Sequence, residues 1–196
     1  MSTRQYIITT LLLLAACIGT WLLREALENR AVPLTGSNHP DSYMNDVVAT
    51  QMDEQGKLKD ELQAPLLVHF PVGNTTNITS PHFIIYNSDS TGEPWHITAN
   101  YGQAHDGINI LELWDHVKLT QPAGSKNTAT TMVTTAMTIF PKQQYAQTQQ
   151  PVKVWQMGSV VTSVGLHADL KTGEIDLLSQ ARGKYQPETG TANSKK

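Results

Sequence analysis

The sequence predicts an all-β antiparallel domain, closed as a barrel or folded as a two-sheet roll, behind one apolar N-terminal helix. Three observations carry that prediction: apolar residues recur at every second position, acidic-Gly turns punctuate the runs, and helix-period patterns are almost absent after residue 42. The first element is the stretch from Gln5 to Leu23, in which no residue is charged. As a helix it would measure about 28 Å, close to the roughly 30 Å of a bilayer core. Arg4 precedes it, Arg24, Glu25, Glu28 and Arg30 follow, and Trp21 falls where an interfacial ring belongs. An uncleaved anchor is the expectation. The rivals are lipoprotein processing at Leu14-Ala15-Ala16-Cys17, a cleaved signal peptide and a buried core helix. Against processing, the run stays apolar through Ile18, Trp21, Leu22 and Leu23 beyond any cut.

Residues 1–4 are then a short cytoplasmic N-terminus, 5–23 the span, and 24–42 a linker rich in Pro, Gly and short polar residues toward its end. A domain over 43–187 and a flexible tail over 188–196 complete the expected organisation. Within the domain, Leu58, Leu62, Ala64, Leu66 and Val68 are expected to share one face of a strand that begins at Lys57. Trp95, Ile97, Ala99 and Tyr101 alternate with polar residues. Leu111, Leu113, Val117 and Leu119 share a face, as do Val133, Met137 and Ile139. Turns are expected at Asp53-Glu54-Gln55-Gly56, Asp89-Ser90-Thr91-Gly92, Asp106-Gly107 and Lys171-Thr172-Gly173. Strand, acidic-Gly turn, strand occurs twice, over residues 99–113 and 165–178. Hairpins without crossover helices mean antiparallel pairing.

Composition closes several classes of function. The chain of 196 residues has 14 Lys and Arg against 17 Asp and Glu, an acidic balance that argues against nucleic-acid binding. Its single cysteine lies in the apolar run, so the domain holds no disulfide and no cysteine metal site. No nucleotide-binding Gly-Lys loop and no His-Glu-x-x-His occur, the seven histidines are scattered, and Gly158-Ser159 lacks a nucleophile-elbow context. The expectation is therefore no enzyme, no cofactor and no metal. What is unusual is that some strands are apolar on both faces. Ile108, Ile110 and Trp114 oppose Leu111, Leu113, Val117 and Leu119, and Phe83 and Ile85 oppose Ile84 and Tyr86. Packing against loops or a second sheet explains this; so does an apolar hollow between sheets, or an exposed edge that docks a partner.

The ordered motifs resemble the LptC family of lipopolysaccharide export proteins. They are Tyr43-Met44, the run from Gln51 to Leu58, Thr79-Ser80-Pro81-His82-Phe83, and Pro94-Trp95-His96-Ile97-Thr98-Ala99 with Gly102 and Asp106-Gly107. Leu113 to Leu119, Gly165 to Gly173 and Leu177 to Tyr185 complete a likeness over roughly residues 5–187. Asp115 stands where the family often has Gly. The resemblance implies a single-pass inner-membrane protein whose periplasmic part is an open, twisted antiparallel β-jelly roll of two sheets. It implies a carrier that receives lipopolysaccharide from the LptB, LptF and LptG transporter and passes it to LptA. It implies a lipid path through Ile78, Tyr86, Ile97, Leu113, Ile139 and Ile175, each of which ordinary core packing would equally explain. Gly56 and Gly165 match family glycines. Partner contacts are expected at these two and at Leu177 and Tyr185, with the strand from Glu174 to Tyr185 as the LptA edge. The strand from Tyr43 to Met52 is expected to face the transporter. The alternative is a membrane-tethered structural adaptor of the same fold without lipid cargo.

Overall fold

The computed structural model describes residues 39–86, 92–125 and 127–185, together with Thr20. The proposed span over 5–23, apart from Thr20, the linker up to residue 38, the Asp89-Ser90-Thr91 turn and the tail beyond 185 lie outside them. Among the described residues no helix is long and apolar enough to cross a membrane. The described residues form eleven strands in succession: β1 Ser42–Met52, β2 Leu58–Phe70, β3 Thr75–Thr79, β4 His82–Ile85, β5 Trp95–Thr98, β6 Tyr101–His105, β7 Ile110–Gln121, β8 Thr130–Phe140, β9 Tyr145–Gln156, β10 Ser159–Asp169 and β11 Ile175–Tyr185. All pairings between them are antiparallel. One turn of 3-10 helix, Pro141–Gln143, joins β8 to β9.

The turns obey their local chemistry. At the β1–β2 hairpin, Asp53 Oδ1 accepts from the backbone N–H of Gln55 and Lys57, and Gly56 takes φ +75. Asp169 Oδ1 does the same for Lys171 and Thr172 before Gly173 at φ +77.

Each long strand is interrupted near its middle, and these interruptions line up across the sheet; β1 and β2 have a further register shift between Gln51 and Met52. Pairing between β1 and β2 skips from Asn45–Leu66 to Val47–Ala64, leaving Asp46 and Pro65 between. The break continues through Ser80-Pro81 between β3 and β4, and Ala99-Asn100 between β5 and β6. It then passes between Trp114 and Val117, between Thr134 and Thr138, and between Val164 and Leu166. Asp46, Ser80, Asp115, His116, Gly165 and Gln180 all have positive φ on this line. Breaks and bulges of this kind bend a strand sharply, and Pro65, Pro81 and Pro151 fall along this line, where prolines are tolerated in sheets. Hydroxyls serve carbonyls along the bend: Thr134 donates to Pro151 O at 3.0 Å, Thr148 to Ala136 O at 2.6 Å, and Ser163 to Gly165 O at 3.0 Å. The line is a crease that divides the strands into two layers.

The first layer holds β4, β5 and the halves of β2 and β7 paired with them; the second holds β3, β6 and the other halves. One contiguous core draws on both, including Phe83, Ile97 and Leu119 from the first and Leu111, Ile139 and Leu166 from the second. Trp95 Nε1 donates to Leu170 O at 2.9 Å, tying the two layers together. The crease also shifts which residues face inward. In β2 the buried positions are Asp60, Leu62 and Ala64, but then Leu67. Leu66 and Val68 thus lie on the other face from Leu62, contrary to the sequence expectation, because the inward alternation shifts by one at the unpaired Pro65. For the same reason Met132, not Val133, shares the inner face with Met137 and Ile139, and Tyr101 is exposed although Trp95, Ile97 and Ala99 are buried. Leu111, Leu113, Val117 and Leu119 do share the inner face, since two residues, Asp115 and His116, are inserted there.

Candidate functional site on the inner face and the two free edges

Cross-strand partners stand on the same side of a sheet, so the register lays out the inner lining. In the first layer one row runs Ala49–Leu62–Phe83–Ile97–Leu119–Met132–Val154–Val161–Gly183. In the second, one row runs Ala104–Leu111–Ile139–Ala146–Ala168–Ile175, and beside it lies Leu67–Ile78–Gly102–Leu113–Met137. Five of the six expected lipid-path residues, Ile78, Ile97, Leu113, Ile139 and Ile175, therefore line one continuous apolar interior. Four are fully packed, and Ile175 is half-buried at the edge. Tyr86 does not join them. It sits just past β4, its N–H donating to Lys59 O and its carbonyl accepting from Gln144 Nε2 at 3.1 Å. It lines a cavity of about 400 Å³ beside the β1–β2 hairpin with Met52 and Leu58.

Gly102 explains how the second layer packs so closely: a Cβ there would lie 2.9 Å from Leu113 Cδ2. Gly165 has φ +80, and a Cβ there would lie 2.9 Å from Leu178 Cδ1 on β11. It sits at the bulge between β9 and β10 and lies directly against Leu178 of the last strand. Gly56 has open space around it and serves its hairpin alone. Leu177 pairs with the fully buried Leu166 and packs against the core, whereas Tyr185 is 72% exposed.

Among the described residues β1 pairs with β2 alone and β11 with β10 alone, so each has one free edge. Both carry exposed apolar residues: Tyr43, Met44, Val48 and Met52 on β1, Leu178 and Tyr185 on β11. Strand edges of this kind ordinarily template association with another strand.

Polar chemistry on the inner face is sparse. Asp60 is buried next to Ile85 with neither carboxylate oxygen hydrogen-bonded, and burial pushes its carboxyl above the usual range, opposed by Lys59. On the outside, Asn100 donates to Asp115 Oδ2 at 2.8 Å and holds that carboxyl below its usual range, helped by His116. His82 and His96 stack across β4 and β5, their nearest nitrogens 3.2 Å apart, and burial followed by the His96 charge lowers the His82 value. Among the described residues no three His, Cys, Asp or Glu side chains are grouped to hold a metal ion. Asp60 and the creases escaped the sequence reading, although Pro65, Pro81 and Pro151, each within a strand pattern, signal them.

The fold and its edges define a creased antiparallel β-roll with an apolar interior and two unpaired rims. Residues 8–186 match the profile of the family described as lipopolysaccharide-assembly, LptC-related. The chain belongs to that family, and is thus a component of lipopolysaccharide assembly. Comparison with curated proteins finds no match. Among solved structures, the chain is similar at 12% identity and a TM-score of 0.43 to LptH, described as the LptA homologous periplasmic component of the lipopolysaccharide transport device from Pseudomonas aeruginosa. That likeness covers 76% of this chain and 96% of the other.

Proposed function

We propose that this protein is a membrane-anchored periplasmic carrier that takes lipopolysaccharide from the LptB, LptF and LptG transporter of the inner membrane and passes it to LptA. The observation that supports the reading is the apolar interior, whose first-layer row runs from β1 to β11, each with an unpaired edge among the described residues. Each acyl methylene withdrawn from water gains about 0.8 kcal/mol, so an apolar lining retains chains while the saccharide stays hydrated. Few fixed polar partners inside means little to hold the lipid in one place, which suits a cargo that must leave again. Pairing of β11 with an LptA strand would extend the lining into the next roll, and β1 would face the transporter. The segment 5–23 would anchor the chain in the inner membrane, with 24–42 as the tether.

A photoreactive residue at Ile175 in the membrane-embedded full chain tests this. A lipopolysaccharide adduct that grows while the transporter hydrolyses ATP is the expected result. Pairing with LptA without any lipid adduct at Ile175 or Leu113 would mark the protein as a structural adaptor instead.

A further inference from the structure

A groove among the described residues lies outside the roll. It follows the crease across β7 to β11 and encloses about 800 Å³, within the range of small-molecule sites. Lys118, Val133, Lys153, Thr162 and Arg182 occupy consecutive cross-strand positions on its outward face. Val133, Pro151 and Val164 give its lining an apolar surface. Three cations thus line one groove of a chain whose net charge is −3. Among the described residues none of the three forms an ion pair with a carboxylate. Lys153 Nζ lies 4.7 Å from the Trp155 ring centroid, a contact that leaves its N–H donors available. The groove's carboxylate, Asp115, is already engaged by Asn100 and His116. Immediately before Asp115, Trp114 stacks on Tyr101 with centroids 6.4 Å apart, and both rings are exposed.

We propose that this crease groove is a second, outer binding site for a phosphorylated glycolipid, in which Lys118, Lys153 and Arg182 receive the phosphate and Val133, Pro151 and Val164 the adjoining methylenes. Charge complementarity selects an anion, and the planar guanidinium of Arg182 suits phosphate oxygens. The apolar surface selects an amphiphile over a free ion. The exposed Tyr101–Trp114 pair offers a flat aromatic face to a pyranose, which favours a glycolipid over a glycerophospholipid. The choice of this lipid class rests on the carrier reading above, whereas the site itself is separate from the interior rows.

The test places benzoylphenylalanine at Val133, and separately at Ile175, in the full-length chain in nanodiscs. Radiolabelled lipopolysaccharide, the same material enzymatically dephosphorylated, and labelled phosphatidylglycerol are the probes. The expected result is an adduct at Val133 with intact lipopolysaccharide. It should fall about tenfold with the dephosphorylated probe, and equally in Lys118→Gln/Lys153→Gln/Arg182→Gln, while the Ile175 adduct persists as evidence of folding. An adduct at Ile175 without one at Val133 overturns the outer site and leaves the carrier reading standing. Labelling at Val133 that ignores the phosphate, or that is as strong from phosphatidylglycerol, overturns the assigned ligand. Absence of adducts at both positions overturns the outer site together with the carrier reading.

Discussion

The two ends of the roll differ in how their strands are closed. At one end β2 and β7 are joined twice, through β4 and β5 in the first layer and through β3 and β6 in the second, so the strands form a complete ring. At the other end β1 and β11 each keep a free edge among the described residues. Burial follows: Phe83, Ile97, Leu111 and Leu119 at the closed end are wholly inaccessible, while Val47, Ile175 and Leu177 at the open end are only partly covered. The same alternation of apolar residues therefore does two jobs. Where the ring closes it makes a core, and where the ring stays open it makes a lining. Stability concentrated in one place leaves the other free to rearrange.

The most direct way to break that contrast is a pair of matched truncations. Ile97→Ala at the closed end should cost about 3–4 kcal/mol, read by urea unfolding, because the ring cannot collapse into the void. Ile175→Ala removes the same atoms from a half-covered site and should cost about 1 kcal/mol. Equal losses would mean that the open end is core after all. Next in size is Gly165→Arg. The +80° φ and the contact with Leu178 disfavour any side chain, costing about 2 kcal/mol. The strain falls on the β10–β11 junction, so strand addition at β11 should fail, measured by crosslinking to LptA, while insertion into membranes persists. Unchanged crosslinking and transfer by this variant would separate β11 from partner docking.

How much of this was legible follows from which signals are local. Antiparallel strands, the Asp53–Gly56 and Lys171–Gly173 turns and the shared face of Leu111, Leu113, Val117 and Leu119 are set by neighbours in sequence, and the structure has them. The crease is set by bulges in β7 to β11 and by the unpaired Asp46 and Pro65 in β1 and β2, and it shifts the alternation by one residue or by two. A reading that extended one period through Pro65 placed Leu66 and Val68 with Leu62, and one extended through Thr135 placed Val133 with Met137. A shift of two residues restores the alternation and a shift of one inverts it, so a single period holds through β7 and fails in β2 and β8. The outer cations escaped notice because Lys118, Lys153 and Arg182 are unremarkable outward residues until the register sets them side by side.

Asp60 offers a finer test, since it is a buried, unbonded carboxylate on the inner face, paired with Gln51 of the edge strand β1. Its carboxyl is raised, so the native state favours the protonated form; the associated stability is full below the ordinary aspartate value and is lost as pH rises through the raised one. Asp60→Asn should remove that slope and raise stability near neutral pH by about 1 kcal/mol, seen in unfolding at several pH values. A wild-type profile already flat between pH 4 and 8 would show that the carboxyl finds a partner in solution.

The smallest effect belongs to the start of β1. Asp41 Oδ1 lies 2.7 Å from His69 Nδ1, Asp41 N–H donates to His69 O, and Asn74 Oδ1 lies 3.2 Å from the other ring nitrogen. The Asp41 carboxylate, then Asn74, raise the His69 value. For a histidine raised in this way the stabilisation is complete below its ordinary value and fades as pH climbs through the raised one. This clip holds the edge strand to β2 at one end only, so its loss should loosen β1 and leave the closed ring untouched. Amide exchange of Tyr43 and Met44 should accelerate between pH 6 and 8 by more than the intrinsic rate, and Asp41→Asn should abolish the excess. Amides of β7 should show no such excess in either protein. Parallel acceleration in β7 would mean that the edge and the ring open together, and the division between a fixed end and a movable one would fail.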